Sequence, residues 1–81
     1  MRVAVKLFAA ARDLTGHGEV EIELPPGADV AELRQALAAQ LPPLAPLAAR
    51  SLVAVNAEYA SDSTPVAEGD ELALIPPVSG G

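Results

Sequence analysis

Cysteine is missing from all 81 residues, which excludes a disulfide framework, a thiolate metal site and a cysteine nucleophile. Aromatics amount to 2%, Phe8 and Tyr59, so a core must come from Val, Leu, Ile and Ala. No basic stripe exists either: the five cations (Arg2, Lys6, Arg12, Arg34, Arg50) are scattered among 11 acidic residues, for a formal charge of -6. Phosphates would find little to neutralise them, so nucleic acid is not expected as a partner. Acidic character favours solubility and a partner with a basic surface. Long apolar runs are absent too: Leu41 to Val55 is broken by Pro42, Pro43, Pro46 and Arg50 and cannot span a bilayer. Charge and alternation begin at Arg2, without a signal-peptide pattern. The expectation is a cytoplasmic location and no membrane partner.

What is present is 51% hydrophobic, enough for the core of one small domain. RVAVKLF (2–8) alternates, with Val3, Val5 and Leu7 on one face and Arg2, Lys6 and Phe8 on the other, which predicts a half-buried strand. AAARDLTG (9–16) reads as a short helical turn closed by Gly16. EVEIEL (19–24) alternates more cleanly, and its outer row of Glu19, Glu21 and Glu23 suits a strand at or near a sheet edge. After the break at Pro25-Pro26-Gly27, Asp29 and Glu32 have capping-box spacing. Val30, Leu33, Leu37 and Leu41 then recur at helical spacing, predicting an amphipathic helix over 30–41. Residues 42–50 form a proline-punctuated connection with room for one helical turn, SLVAV (51–55) a buried strand, NAEY (56–59) a hairpin turn into a short strand, and ELALI (71–75) the last strand. The order β-β-α-β-β-β predicts an α+β domain, a mixed β-grasp sheet with one main helix packed across one face and the first and last strands adjacent and parallel. The domain spans 1–75, and 76–81 are expected to form a flexible tail.

Most chemistry-bearing residue types lack the partners that chemistry requires. His17 stands alone between glycines, and Ser51, Ser61, Ser63 and Ser79 have no second histidine for a nucleophilic triad. Asp62, Glu68, Asp70 and Glu71 lack calcium-loop spacing; no metal is expected. Phe8 and Ile75 differ: by period two they point away from the buried faces of their strands, and if those strands pair, the two are neighbours on the uncovered side. They read either as scattered surface apolars or as an apolar docking patch with Tyr59 at its rim. Arg12 fits an ion pair with a partner carboxylate or one within the domain.

The sequence stops at IPPVSGG. A glycine pair fits a frayed end or a cloning remnant. It also fits a terminus that works. Gly81 puts no side chain beside its carboxyl carbon, and Gly80 keeps the backbone thin enough for a narrow cleft. Pro76 and Pro77 fix φ twice and favour an extended exit, so less entropy is lost when the tail docks.

LFAAARDLTG (7–16), AVNAEYA (54–60), DSTPVAEGDELALIPP (62–77) and the terminal VSGG fall in order over nearly the whole chain. Together they resemble the sulfur-carrying small subunits of molybdopterin synthase, within the ubiquitin-like sulfur carriers. Two positions depart from the common pattern: Leu7-Phe8 replaces a paired aromatic, and Ile75 replaces an aromatic before the prolines. The resemblance implies a non-catalytic carrier that binds no cofactor, and whose Gly81, with Gly80 behind it, is adenylated by an activating enzyme that consumes ATP. The terminus would then become a thiocarboxylate, by way of a sulfur donor system, and enter the large synthase subunit, in an assembly of two small and two large subunits. There sulfur would pass to a cyclic pyranopterin monophosphate in molybdenum cofactor synthesis. Phe8, Arg12, Tyr59, Ile75, Pro76, Pro77, Val78 and Ser79 are the expected partner-binding residues. Alternatives sharing the fold and the glycine end are a thiamine-type carrier, against which FAAARDLTG speaks, and a ubiquitin-like modifier joined to lysines. A β-grasp interaction module that never uses its terminus is a further alternative.

Overall fold

The computed structural model describes residues 1–77; Val78, Ser79, Gly80 and Gly81, four of the expected site residues, lie outside them. Five strands form one sheet in the order β2-β1-β5-β3-β4: β1 (Arg2–Leu7), β2 (Glu19–Glu23), β3 (Leu52–Val55), β4 (Glu58–Tyr59) and β5 (Leu72–Ile75). β1 and β5 are adjacent and parallel in the centre, and every other pair is antiparallel. The β-grasp read from the order of elements, ubiquitin-like as the resemblance implies, is therefore the fold.

Alternation decides which side is core. Val3, Val5, Leu7, Ile22, Val53, Leu72 and Leu74 are buried on one face, covered by helix α2 (Val30–Gln40) through Val30, Leu33 and Leu37. Asp29 Oδ1 accepts the Glu32 N–H at 2.9 Å, the cap its spacing predicts. The neighbouring N–H groups of Val30 and Ala31 donate to Thr64 and Asp62 carbonyls, each at 3.0 Å. The start of α2 is thus satisfied by a loop sixty-odd residues into the chain, which ties 61–65 to the helix. Arg34 extends the tie: Nε meets Asp62 Oδ1 at 2.9 Å, and Nη1 donates to Ala48 O at 2.7 Å and Ser51 O at 2.6 Å.

The proline-rich connection is more helical than its composition suggests. A 3-10 turn (Pro42–Leu44) runs into α3 (Ala45–Ala48), burying Leu44, Leu47 and Ala48. The prolines fit because they occupy first-turn positions, where a missing N–H costs little. Similarly, 9–16 contains a seven-residue helix, α1 (Ala9–Thr15), ended by Gly16 at φ 74°, a left-handed cap that glycine adopts freely. At the sheet edge, β2 is capped sideways by Gln40, whose amide accepts from Glu23 N–H at 3.0 Å and donates to Glu23 O at 2.9 Å. That pairing and the glutamate row both discourage a further strand from adding there.

Candidate functional site: an open sheet face and the exit of β5

Among the described residues the side of the sheet away from α2 carries no helix, and strand register fixes who stands beside whom on it. Leu52 pairs with Ile75, and Ala54 with Ala73 and with Tyr59. Lys6 stands opposite Ala73, and Leu7 opposite Leu74, so Phe8 comes next to Ile75. Side chains alternate along each strand, which puts Phe8, Ile75 and Leu52 in one row and Lys6, Ala73, Ala54 and Tyr59 in the next. Phe8 is 47%, Leu52 51% and Tyr59 70% exposed. Both aromatics of the chain are thus outside a core that is wholly aliphatic and alanine-based.

Phe8 owes its place to a sharp turn. Its own backbone is extended (φ -126°, ψ 157°), and Ala9 then takes φ 50°, a left-handed conformation that costs a non-glycine residue roughly 1–2 kcal/mol. The chain leaves the sheet there for α1, so Phe8 is the last residue of its strand line before the turn.

The opposite end of the face is charged. Arg2 Nε lies 2.9 Å from Glu23 Oε1 and Arg2 Nη1 4.0 Å from Glu21, while Lys6 Nζ lies 3.4 Å from Glu71. The hydrogen bond to Glu23 raises the pKa of Arg2, helped by the charges of Glu23 and Glu21. All these groups are more exposed than not or nearly so, and such pairs contribute little stability. The face is therefore graded, apolar toward the end of β5 and ionic away from it.

Of the residues singled out in the sequence, Phe8 and Ile75 are brought together, while Tyr59 stands in the neighbouring row on the edge strand, separated from β5 by Ala54. Arg12 lies exposed on α1 and forms no ion pair among the described residues. Pro76 is buried whereas Pro77 is exposed, so of the two expected partner contacts only Pro77 offers its ring to another molecule. Leu52 is the residue that sequence reading missed. Taken as a buried strand, 51–55 hides it; period two within SLVAV, with Ser51, Val53 and Val55 inward, would have placed Leu52 and Ala54 outward. His17 is exposed. Among the described residues, no three His, Cys, Asp or Glu side chains are grouped to hold a metal ion, and no helix is long and apolar enough to cross a membrane.

A groove of about 330 Å³ opens between α2 and α3, lined by Ala31, Arg34, Ala38, Ala45, Ala48 and Asp62 among others. Its two charged residues are already bonded to each other.

Comparison with known proteins bears on the open face and the tail together. The model of the ThiS family matches residues 5–81. The molybdopterin synthase sulfur carrier subunit of Arabidopsis thaliana is 38% identical over 81 residues, covering 100% of this chain and 84% of that protein. Among solved structures, SAMP1 (small archaeal modifier protein 1) from Haloferax volcanii superposes with a TM-score of 0.85 at 32% identity, each chain covered completely. A protein–protein complex of subunits 1 and 2 of molybdopterin-converting factor from Helicobacter pylori 26695 contains a chain similar to this one. That chain has a TM-score of 0.69 and 28% identity, and 100% of each chain is covered.

Proposed function

The chain belongs to the ThiS family, and from that premise we propose that it is the sulfur carrier subunit of a molybdopterin synthase, with the Gly81 carboxylate as its working group. The observation that carries this reading is the row at the end of β5 in which exposed Phe8 and Leu52 flank the half-buried Ile75, on the strand from which the chain runs on to Pro77 and the glycines. A body that docks through that row would present its terminus at the margin of the contact. The similarity to the subunit in the Helicobacter pylori complex supports a large-subunit partner.

The chemistry follows from the weakness of a carboxylate as an acceptor. An activating enzyme joins Gly81 to the α-phosphate of ATP, with pyrophosphate leaving, so the acyl carbon gains AMP as a leaving group. Sulfur at the sulfide level from the donor system attacks the acyl carbon and displaces AMP, leaving a thiocarboxylate. The large subunit then receives the tail, the sulfur bonds to a carbon of a cyclic pyranopterin monophosphate in place of an oxygen, and water cleaves the acyl–sulfur bond, so Gly81 returns to a carboxylate. Two small and two large subunits form the assembly, working in the cytoplasm; the carrier binds no cofactor of its own.

The similarity to SAMP1 favours one second reading, a modifier joined to lysines of other proteins through the same carboxylate. Intact-mass analysis after incubation with ATP, an activating enzyme and a sulfur donor separates the two. A carrier gains the mass of sulfur in place of one oxygen and yields molybdopterin when the large subunit is added. Isopeptide conjugates with no thiocarboxylate would establish the modifier and end the carrier reading.

A further inference from the structure

Burial does not stop where β5 stops. Along 72–77 it alternates without a break: Leu72, Leu74 and Pro76 are buried, and Ala73, Ile75 and Pro77 are not. Pro76 therefore continues the inward parity of the strand, and Pro77 continues the outward parity that carries Ile75. The ladder has meanwhile ended. Its last pairs are Leu7 with Leu74 on one side and Leu52 with Ile75 on the other, and neither proline has an N–H with which to extend it. On the β1 side the chain turns off into α1, which touches β5. The body thus holds one more residue by its side chain than it holds by its backbone.

We infer that Pro76 is a positioning residue, the point at which the terminus of the carrier is fixed to the body. The inference rests on the reading under "Proposed function", since it concerns how the same terminus reaches its target. Docking of the open face and entry of Gly81 into a cleft must be satisfied together, and the fixed point between them sets the distance. Beyond Pro76 five residues remain, and they span at most about 17 Å. Were the chain held only as far as the ladder reaches, at Ile75, six residues would be free, and the span would grow to roughly 20 Å. A longer free segment lowers the effective concentration of the terminus at the cleft and raises the entropy lost on ordering it. Burial of the Pro76 ring and its locked φ remove that slack before any partner arrives. Pro77, exposed beside Ile75, is left to contact the partner.

Pro76→Ala in the full-length chain, loaded as thiocarboxylate and supplied to the large subunit, tests this. The expected result is a fall of at least about tenfold in kcat for sulfur transfer, toward the roughly hundredfold that a 1 Å misplacement can cost, with Kd for the large subunit held within about threefold. A second variant inserts one glycine between Pro76 and Pro77, which leaves the buried ring in place but displaces everything after it. It should lose kcat similarly at unchanged melting temperature, with Kd rising by much less than kcat falls although the Pro77 contact moves, and it remains informative if Pro76→Ala fails to fold. An unchanged kcat in either variant overturns the inference, as does a Kd that rises in step with the loss of kcat, because Pro76 would then merely support the docking face. Turnover by the unaltered chain tests the carrier reading, whereas only the split between kcat and Kd tests Pro76, so the two fail separately.

Discussion

Leu52 stands directly across the β3–β5 ladder from Ile75, on the side of the sheet that no helix covers among the described residues. Phe8 flanks Ile75 on its other side by the register of β1 with β5. Phe8 just past β1, Ile75 of β5 and Leu52 of β3 thus form one apolar row with its two ends exposed, and apolar groups exposed together are a docking feature more often than scattered ones are. Phe8→Ala and Leu52→Ala should each weaken binding to the large subunit by roughly 1–3 kcal/mol, the range for interface anchors. Neither should unfold the chain, since both side chains are about half exposed. Calorimetric titration checks this, and equal affinity at equal stability for both variants would reduce the row to ordinary surface.

The inner face sets the opposite expectation. Leu37 is fully buried in α2, at 0% exposure, in a core without aromatics that could slide into a vacancy. Leu37→Ala should cost about 2–5 kcal/mol in urea or thermal unfolding, while the affinity of whatever remains folded stays as it was. A loss below about 1 kcal/mol would mean that the site collapses around the missing methyls far better than core sites usually do.

Arg34 makes a distinct prediction because it joins three segments rather than filling space. Its guanidinium holds the C-terminal end of α3 and the approach to β3 through the carbonyls of Ala48 and Ser51, and the 61–65 loop through Asp62. The side chain is 19% exposed, so the carbonyls it leaves would be poorly hydrated. Arg34→Ala should destabilise by about 1–3 kcal/mol, the range for bonds to a charged group. Arg34→Lys should recover only part of this, since an ammonium lacks the planar fork that serves several acceptors at once. Asp62→Ala, which removes only the exposed partner, should cost less than Arg34→Ala in the same denaturation series.

The legible parts of the fold are those where one physical demand governs the residue choice. β1, β2 and β5 alternate because one side of each is core, and α2 declares itself through Asp29, Glu32 and the stripe Val30, Leu33, Leu37. SLVAV is harder, because Leu52 is apolar yet half exposed while Ala54 beside it on the same parity is buried, and an apolar residue on both parities reads as burial on both faces. AAARDLT gives no periodic stripe, since alanine suits either face of a helix, and so its helix is underestimated. The prolines of 42–46 suggest a break while in fact starting two short helical segments. In the site, Phe8 and Ile75 are found by counting parity from the strands. Pro76 yields to the same count carried one residue further, where a Pro-Pro pair invites treatment as tail.

The last prediction concerns the terminus itself. If the Gly81 carboxylate is the working group, deleting Gly81 and adding one residue after it should both abolish sulfur transfer. Deletion leaves the carboxylate about 3.5 Å short of the activating and synthase sites, and extension carries it past them onto a residue that can bring a Cβ. Gly80→Val should be nearly as damaging, because a branched side chain stiffens and widens the backbone where it must thread. All three changes lie beyond β5 and beyond the buried Pro76, so melting temperatures should match the parent. The readouts are thiocarboxylate by intact mass and molybdopterin in a reconstituted assay. A variant extended past Gly81 that still acquires sulfur, without being trimmed back, would show that the carboxylate of Gly81 is not the carrier.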